Sequence, residues 1–268
     1  MQRVESIDDP RVAPYRNLRE RTLRGESIFV TEGRILTRRL LESDYQTESV
    51  FVAEELAAEF VSLVGDRAPL YVAASSLLAE IVGFPFHRGV LGCGRRPPPK
   101  TLAELMTPID SSQSLALVVC PEVNDSENLG LIFRTAAGLG VDGVLLGQRC
   151  CDPLSRRSLR LSMGGVLGVP FTRPQNLLED LQTLKSRHGV ELLATVLDDR
   201  AERIGEVRWP PRAGLLLGNE AEGLPDDYLS LCDRRVMIPM RPGTDSLNVG
   251  VAAGIFIYEL MRSRGRRW

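Results

Sequence analysis

The chain has few of the residues on which several enzyme classes depend. His87 and His188 are its only histidines, so Ser-His-Asp and Cys-His catalysis are poor candidates. The five cysteines form no CxxC pair, so the usual spacing of a zinc site is absent and we expect no metal. Cys150 and Cys151 are adjacent, but in a cytoplasmic chain we interpret this pair as packing.

Long apolar runs and an excess of one charge are also absent. No run approaches the roughly 18 apolar residues of a membrane span, and the opening MQRVESIDDP lacks the apolar stretch of a signal peptide. Basic and acidic residues number 33 and 35, which excludes RNA binding through bulk positive charge. We therefore expect a soluble cytoplasmic protein without a membrane partner. Its 268 residues suffice for one large α/β domain or two smaller ones.

Positive charge is carried almost wholly by arginine, since Lys100 and Lys185 are the only lysines. The bias can arise from a GC-rich genome, or it can serve bidentate contacts with phosphate. Local clusters could bind RNA even in a nearly neutral protein. They comprise Arg16, Arg19, Arg21 and Arg24; Arg156, Arg157 and Arg160; and Arg262, Arg264, Arg266 and Arg267. Composition does not decide between these two explanations of the arginine bias.

A proline-rich stretch divides the chain. Pro97–Pro99 can continue neither a helix nor a central strand and would form a stiff spacer. We predict an N-terminal domain at 1–94, a linker at 95–112 and a C-terminal domain at 113–268. Short strands and helices alternate in the N-terminal domain, which predicts a small α/β unit. The strands are expected at 27–31, 50–53 and 70–73, and the helices at 35–41 and from Leu77 onward, capped by Ser75 or Ser76.

The alternation is stronger in the C-terminal domain. Leu115–Cys120 is a continuous apolar run, as expected of a strand buried on both faces. Further strands are predicted at 144–146, 192–196, 215–217 and 236–238, and helices at 127–139, 176–187 and 247–262. The pattern predicts a parallel sheet covered on both faces. The last helix is apolar on every side, and Gly250 and Gly254 would admit a close neighbour, so we expect it to pack on the sheet and on a partner subunit; burial within one chain is the alternative.

One glycine motif is misleading. Gly138–Gly143 matches GxGxxG, but a helix precedes it and a strand follows, the reverse of a dinucleotide-binding loop. We interpret it as a helix C-cap and turn. The phosphate loop GxxxxGK[ST] is absent, so a nucleotide-dependent dehydrogenase or ATPase is disfavoured.

Three polar segments are harder to explain by structure alone. Asn124–Gly130 opens the helix that carries an outward-facing Arg134. Leu215–Pro225 ends a buried strand in glycines and acids, at the edge where open α/β sheets bind ligands. In the third segment, after the strand at 236–238, Ser246 is a natural N-cap of the last helix, whereas Asn248 needs a partner inside an apolar stretch.

In this order and spacing, the segments resemble the three motifs of the SpoU/TrmH family of RNA 2′-O-methyltransferases, in the SPOUT class. The match runs from about residue 115 to 258, with 160–165 and 169–170 resembling the intervening segment. The N-terminal part resembles the family's substrate-recognition domain, akin to small RNA-binding ribosomal proteins, at Val30–Arg34 and His87–Leu91.

The resemblance implies a C-terminal trefoil knot, a homodimer with its active site at the subunit interface, and S-adenosylmethionine as cofactor. The residues that match the family's polar site are Asn128, Arg134, Glu220, Ser246 and Asn248. Those that match its cofactor-binding positions are Leu217, Gly218, Asn219, Gly223, Ile238, Met240 and Leu247.

Chemically, a ribose 2′-hydroxyl must attack a sulfonium methyl in line and lose its proton. The base proposed for the family matches Arg134, but an arginine is effectively always protonated, so we expect it to position the RNA phosphate. Ser246 and Asn248 would orient Arg134 or the ribose, and Glu220 would order the pocket.

The chain departs from the family pattern at Pro242 and Asp245, which bear on cofactor geometry, and at Arg88 and Gly165. A recognition domain joined by a linker favours ribosomal over transfer RNA as substrate. The alternatives are a transfer-RNA enzyme, a resistance methyltransferase, and a non-catalytic RNA-binding or ribosome assembly factor. Retention of the matching polar residues argues against the last of these.

Overall fold

A computed structural model describes residues 1–18, 23, 25–219, 222–241, 243 and 246–264. Of the residues singled out above, Arg19, Arg21, Arg24, Glu220, Pro242, Asp245, Arg266 and Arg267 lie outside this description. The chain forms two compact units: Met1–Pro98 with Asp152–Leu167, and Pro99–Cys151 with Gly168–Trp268.

The strands, in chain order, are β1 Gln2–Arg3, β2 Ile28–Glu32, β3 Thr47–Ala53, β4 Leu70–Ala73, β5 Val90–Arg95, β6 Leu115–Cys120, β7 Gly143–Leu146, β8 Phe171–Thr172, β9 Glu191–Thr195, β10 Glu202–Arg203, β11 Arg212–Leu216 and β12 Arg234–Met237. The α-helices are α1 Arg34–Glu42, α2 Ala57–Val64, α3 Ser75–Val82, α4 Leu102–Met106, α5 Ser126–Leu139, α6 Arg156–Leu161, α7 Leu177–His188, α8 Asp226–Leu231 and α9 Val249–Arg262.

The first unit has a mixed sheet in the order β1-β4-β3-β5-β2, in which β5 is antiparallel to both β3 and β2. The sequence pattern did not predict β5, because Gly92 and Gly94 interrupt its apolar residues. Both glycines are needed there: a Cβ at Gly92 would lie 2.7 Å from Thr31 Oγ1, and one at Gly94 would overlap the Phe29 ring. The expected serine cap of α3 is wrong, since Ala74 occupies the N-cap.

Asp152–Leu167 belongs to the first unit, although the predicted boundaries assigned it to the C-terminal domain. Arg156 forms an ion pair with buried Glu32 and donates to the Leu18 carbonyl. Arg96 holds Asp152 through two hydrogen bonds of 2.9 Å. Arg156 is therefore occupied within the protein, which removes it from the arginine cluster suggested for RNA binding.

The second unit contains an entirely parallel sheet in the order β10-β12-β9-β11-β6-β7-β8. All residues of β6 are buried, as its continuous apolar run predicted. Leu115, Leu117 and Val119 share a core cluster with residues of α4 and α7, and α5 packs against α9. The α/β prediction with a parallel sheet is confirmed.

Some predicted boundaries of this unit are wrong. The linker predicted at 95–112 contains α4, which a reciprocal Thr101–Glu104 capping box initiates and whose Leu105 and Met106 are buried. The last helix begins at Val249, two residues later than predicted, and Asn248 rather than Ser246 is its N-cap. The interpretation of Gly138–Gly143 is confirmed, since Gly140 is the left-handed C-cap of α5.

Candidate active site

The three polar segments follow strands of one parallel sheet and therefore meet at its carboxyl edge. The first segment follows β6, the second follows β11, and the third follows β12. In the sheet, β11 lies beside β6, while β9 separates β11 from β12. Residues more than a hundred positions apart in sequence are thereby brought together.

The first segment forms the start of helix α5, which also carries Arg134. Asp125 caps α5 by accepting a hydrogen bond of 2.8 Å from the Glu127 backbone NH, and Asn128 in the first turn is buried. Arg134 lies two turns after Glu127 and is exposed, as predicted. It forms no hydrogen bond or ion pair with any residue that the structure describes, so its guanidinium is available to a ligand.

In the second segment, an antiparallel backbone bridge between Asn219 and Gly223, here called the hairpin, follows β11. The Leu217 NH donates to the Val119 carbonyl at 2.9 Å, and Asn219 and Gly223 then exchange backbone hydrogen bonds of 2.8 and 2.9 Å. Gly223 has a φ of +71°. A Cβ at Gly218 would lie 2.7 Å from the Gly223 carbonyl carbon, so only glycine fits that close approach.

The third segment places Asn248 between two helices. Its Oδ1 accepts from the backbone NH groups of Gly250 at 2.9 Å and Val251 at 3.2 Å, which caps α9. Its Nδ2 donates to Asn128 Oδ1 on α5 at 2.8 Å. Asn248 therefore has two hydrogen-bonding partners, which are the N-terminus of α9 and the side chain of Asn128.

Ser246 has a different setting from the one expected. It is exposed and forms no hydrogen bond within the described part of the chain. Neither Ser246 nor Asn248 is hydrogen-bonded to Arg134, so the expected orientation of Arg134 by these side chains is not present in this structure.

The residues matched to cofactor-binding positions lie on irregular backbone at the strand ends. Leu217 is buried, whereas Gly218, Asn219, Ile238, Met240 and Leu247 are half-buried and Gly223 is exposed. Sequence reasoning missed Leu197, which follows β9 and is 64% exposed. Because β9 lies between β11 and β12, this apolar side chain belongs to the same edge. An apolar residue just past a buried strand is the signal that could have revealed it.

The outer face of α9 carries an exposed apolar stripe. Val251, Ile255 and Tyr258 are 52%, 37% and 47% exposed, and their spacing puts them on one side of the helix. Gly250 packs closely on α5, where a Cβ would lie 3.1 Å from Leu131 Cβ, so the predicted close approach is confirmed there. At Gly254 a Cβ would meet nothing within 4 Å.

The cysteines show no sign of a reactive site. Cys150 is fully buried and its Sγ donates to the Cys120 carbonyl at 3.0 Å. Burial raises the pKa of both Cys150 and Cys151, which disfavours the thiolate and supports the packing interpretation. Within the described ranges, no group of three or more His, Cys, Asp or Glu side chains is arranged to hold a metal ion. None of the helices described there is long and apolar enough to cross a membrane.

Comparisons with known proteins found a matching family and similar sequences. Residues 116–258 match the model of a family described as the SpoU rRNA Methylase family. An uncharacterized tRNA/rRNA methyltransferase of Mycobacterium bovis is 39% identical, over 98% of this chain and 92% of the relative. A 23S rRNA (guanosine-2′-O-)-methyltransferase of Acinetobacter baylyi is 32% identical, over 72% of this chain and 77% of the relative.

The fold has a close match among solved structures. The AdoMet-bound rRNA methyltransferase from Sinorhizobium meliloti superposes with a TM-score of 0.83 at 26% sequence identity, covering 97% of each chain. The similarity covers nearly the whole chain, so it includes most of residues 1–115, which precede the matched family region.

Proposed function

Because this chain belongs to the SpoU rRNA methylase family and is an RNA methyltransferase, we propose that it methylates a ribose 2′-hydroxyl of ribosomal RNA, with S-adenosylmethionine as the methyl donor. The observation that carries the proposal is the exposed Arg134, which has no partner among the described residues and lies on the helix that Asn248 joins to the third motif. The name of the Acinetobacter baylyi relative supports both the 2′-O position and the choice of ribosomal RNA.

The residues at the sheet edge fit the cofactor. Gly218 and Gly223 leave the main chain after β11 without bulky side chains, which suits close approach by a flat ligand. Leu197, exposed between the ends of β11 and β12, provides apolar surface for an aromatic ring. Leu217, Gly218, Asn219, Gly223, Ile238, Met240 and Leu247 would hold it. When bound, S-adenosylmethionine supplies an electrophilic methyl group on a sulfonium.

In the reaction, the ribose 2′-oxygen would gain a methyl group from the bound donor in exchange for its hydroxyl proton, which would pass to water. The side chains must hold the oxygen in line with the methyl carbon and the sulfur. Arg134 would do so by binding the phosphate next to the reacting ribose, since guanidinium forms paired hydrogen bonds with phosphate oxygens.

The other matched residues would support that alignment. Asn128 and Asn248 would fix α5 relative to α9 and so set the position of Arg134. Ser246, which is exposed and forms no hydrogen bond within the described part of the chain, would contact the ribose. Glu220, which lies outside the described residues, is assigned to ordering the pocket.

Two further parts of the proposal concern assembly. The stripe formed by Val251, Ile255 and Tyr258 would be covered by a second copy of the chain, which supports a homodimer with its active site near the interface. The C-terminal trefoil knot implied by the resemblance to the family is also part of the proposal. The first unit would recognise the RNA, and the proposed substrate implies a cytoplasmic location.

The decisive experiment is transfer of radiolabelled methyl from S-adenosylmethionine to unmodified ribosomal RNA and transfer RNA, followed by digestion to nucleosides. We expect label in a 2′-O-methylnucleoside from ribosomal RNA. Label in transfer RNA alone would replace the proposed substrate. Tight cofactor binding without transfer to naked RNA, precursor particles or transfer RNA would favour a binding factor.

A further inference from the structure

A cleft of about 170 Å³ with both polar and apolar walls lies in the second unit, on the side of the hairpin where α7 and α8 begin. Its polar wall residues follow β6 and β7 or lie at the starts of α7 and α8. They are Glu122, Gln148, Arg149, Gln175, Asn176 and Tyr228. Pockets for complete small-molecule ligands are usually larger, about 300–1,000 Å³. The cleft is therefore sized for part of a ligand.

Several side chains in the cleft keep donors or acceptors that no described residue uses. Within the described chain, the Gln175 amide and the Tyr228 hydroxyl form no hydrogen bond. Gln148 uses its Nε2 to bond the Pro174 carbonyl, which leaves its Oε1 as an acceptor. Arg149 pairs with Glu122 at 3.2 Å but is 73% exposed, so further N–H donors remain. The cleft thus offers donors and acceptors side by side.

The charge of the cleft distinguishes between ligand classes. Glu122 offsets Arg149, so the lining has no net positive charge and a carboxylate faces any incoming phosphate. Nucleobase edges are uncharged and carry adjacent donors and acceptors. A tyrosine ring also provides a surface on which a base can stack. These properties together fit a nucleobase better than a phosphate.

The cleft adjoins the candidate active site. Glu122 lies three residues before the Asp125 cap of α5, and its carbonyl is 3.5 Å from Asn219 Nδ2 in the hairpin. Pro225, another wall residue, comes two positions after Gly223. An RNA strand at the candidate site would therefore pass close to the cleft.

We propose that this cleft binds one unstacked nucleobase of the RNA substrate, close in sequence to the methylated nucleotide, and reads it through Gln148, Arg149, Gln175 and Tyr228. The proposal rests on the proposed function. RNA sequence is read mainly where bases are splayed out of the stack, which is also where a 2′-hydroxyl is accessible to an enzyme. The cleft would thus add sequence selectivity to the methyl-transfer site.

Steady-state kinetics test the proposal with matched variants. Gln175→Ala and Arg149→Ala should each raise KM for RNA by about three- to tenfold, the loss of one or two hydrogen bonds, with an unchanged Kd for S-adenosylmethionine. Gln182→Ala and Arg187→Ala, at exposed residues of α7 that do not line the cleft, are the controls and should leave KM unchanged. If Gln175→Ala and Arg149→Ala behave like these controls, the proposal is wrong.

Photocrosslinking separates this proposal from the proposed function. The full-length protein is irradiated with substrate RNA in which 4-thiouridine or 6-thioguanosine replaces the natural base, and crosslinked peptides are mapped. We expect crosslinks at 148–149, 175–178 or Tyr228. A protein that methylates RNA but crosslinks only elsewhere overturns the nucleobase cleft alone. A protein that neither binds nor methylates RNA overturns the proposed function together with the cleft.

Discussion

The side chain of Asn248 donates a hydrogen bond of 2.8 Å to Asn128 Oδ1, although the two residues are 120 positions apart in sequence. The same side chain caps α9 through its Oδ1. One asparagine thus fixes where the last helix begins and how that helix meets α5, the helix that carries Arg134.

Substitutions at Asn248 should separate these two tasks. Asn248→Ala removes the cap and the bond to Asn128 and should lower the free energy of unfolding by about 2 kcal/mol. Asn248→Asp keeps a cap acceptor and should cost only about 1 kcal/mol. Within the described residues, Asn176 caps α7 and forms no hydrogen bond to another helix, so Asn176→Ala is the control for loss of a cap alone and should cost about 1 kcal/mol. Equal losses for Asn248→Ala and Asn248→Asp in urea unfolding would show that the cap is unimportant.

Arg134→Ala should abolish methyl transfer while the melting temperature and cofactor Kd stay near those of the wild type. The reason is that Arg134 is exposed and unpaired within the described structure, so its removal breaks no contact there. Transfer of radiolabelled methyl and calorimetric titration of the cofactor measure the two effects. Arg187→Ala is the control. Turnover close to wild type in Arg134→Ala would remove this residue from the mechanism.

Gly218→Ala should weaken cofactor binding at least about tenfold, which corresponds to about 1.4 kcal/mol. The added Cβ would lie 2.7 and 2.9 Å from the backbone of Gly223 and Leu224, so the hairpin must move. Gly205→Ala, where a Cβ meets nothing within 4 Å, is the control. Equilibrium binding of the cofactor tests this, and an unchanged Kd for Gly218→Ala would mean that the hairpin does not contact it.

Ile255→Glu should convert the proposed dimer into a monomer, because a charge would replace an apolar residue at the centre of the stripe on α9. Val61→Glu, at an exposed apolar residue of α2 in the first unit, is the matched control. Sedimentation at micromolar concentration measures the mass. A wild type that sediments as a monomer would contradict the dimer, and loss of activity only in Ile255→Glu would support a shared active site.

Glu32→Gln should lower the free energy of unfolding by about 3 kcal/mol, because it leaves Arg156 without its buried partner. The double variant with Arg156→Met should lose less than the sum of the two single variants. Glu48→Gln breaks the more exposed pair with Arg95 and should cost less than about 1 kcal/mol. Additive losses in chemical unfolding would show that Glu32 and Arg156 act independently.

The pattern of apolar residues predicted most of the second unit well. β6 spans the residues of the predicted apolar run. A strand buried on both faces is apolar throughout, so the run itself marks where the strand begins and ends. β5 was missed, because its glycines are explained only by the side chains of Phe29 and Thr31 on the neighbouring strand. The helix α4 was missed because the prolines before Lys100 predicted an extended linker. The capping box that starts this helix spans only four residues and is a weaker signal than three prolines.

The sequence by itself determined the alternation of strands and helices, the outward position of Arg134 and the resemblance to the family, because periodicity and motif spacing are local properties. Only the tertiary structure decided that Asn248 bonds Asn128, that Arg156 is occupied by Glu32, and that Leu197 lies between the ends of β11 and β12. Each of these depends on which distant segments pack together. Which segments pack together is decided by burial of the apolar residues of the whole core, and this information is not present in any single stretch of sequence.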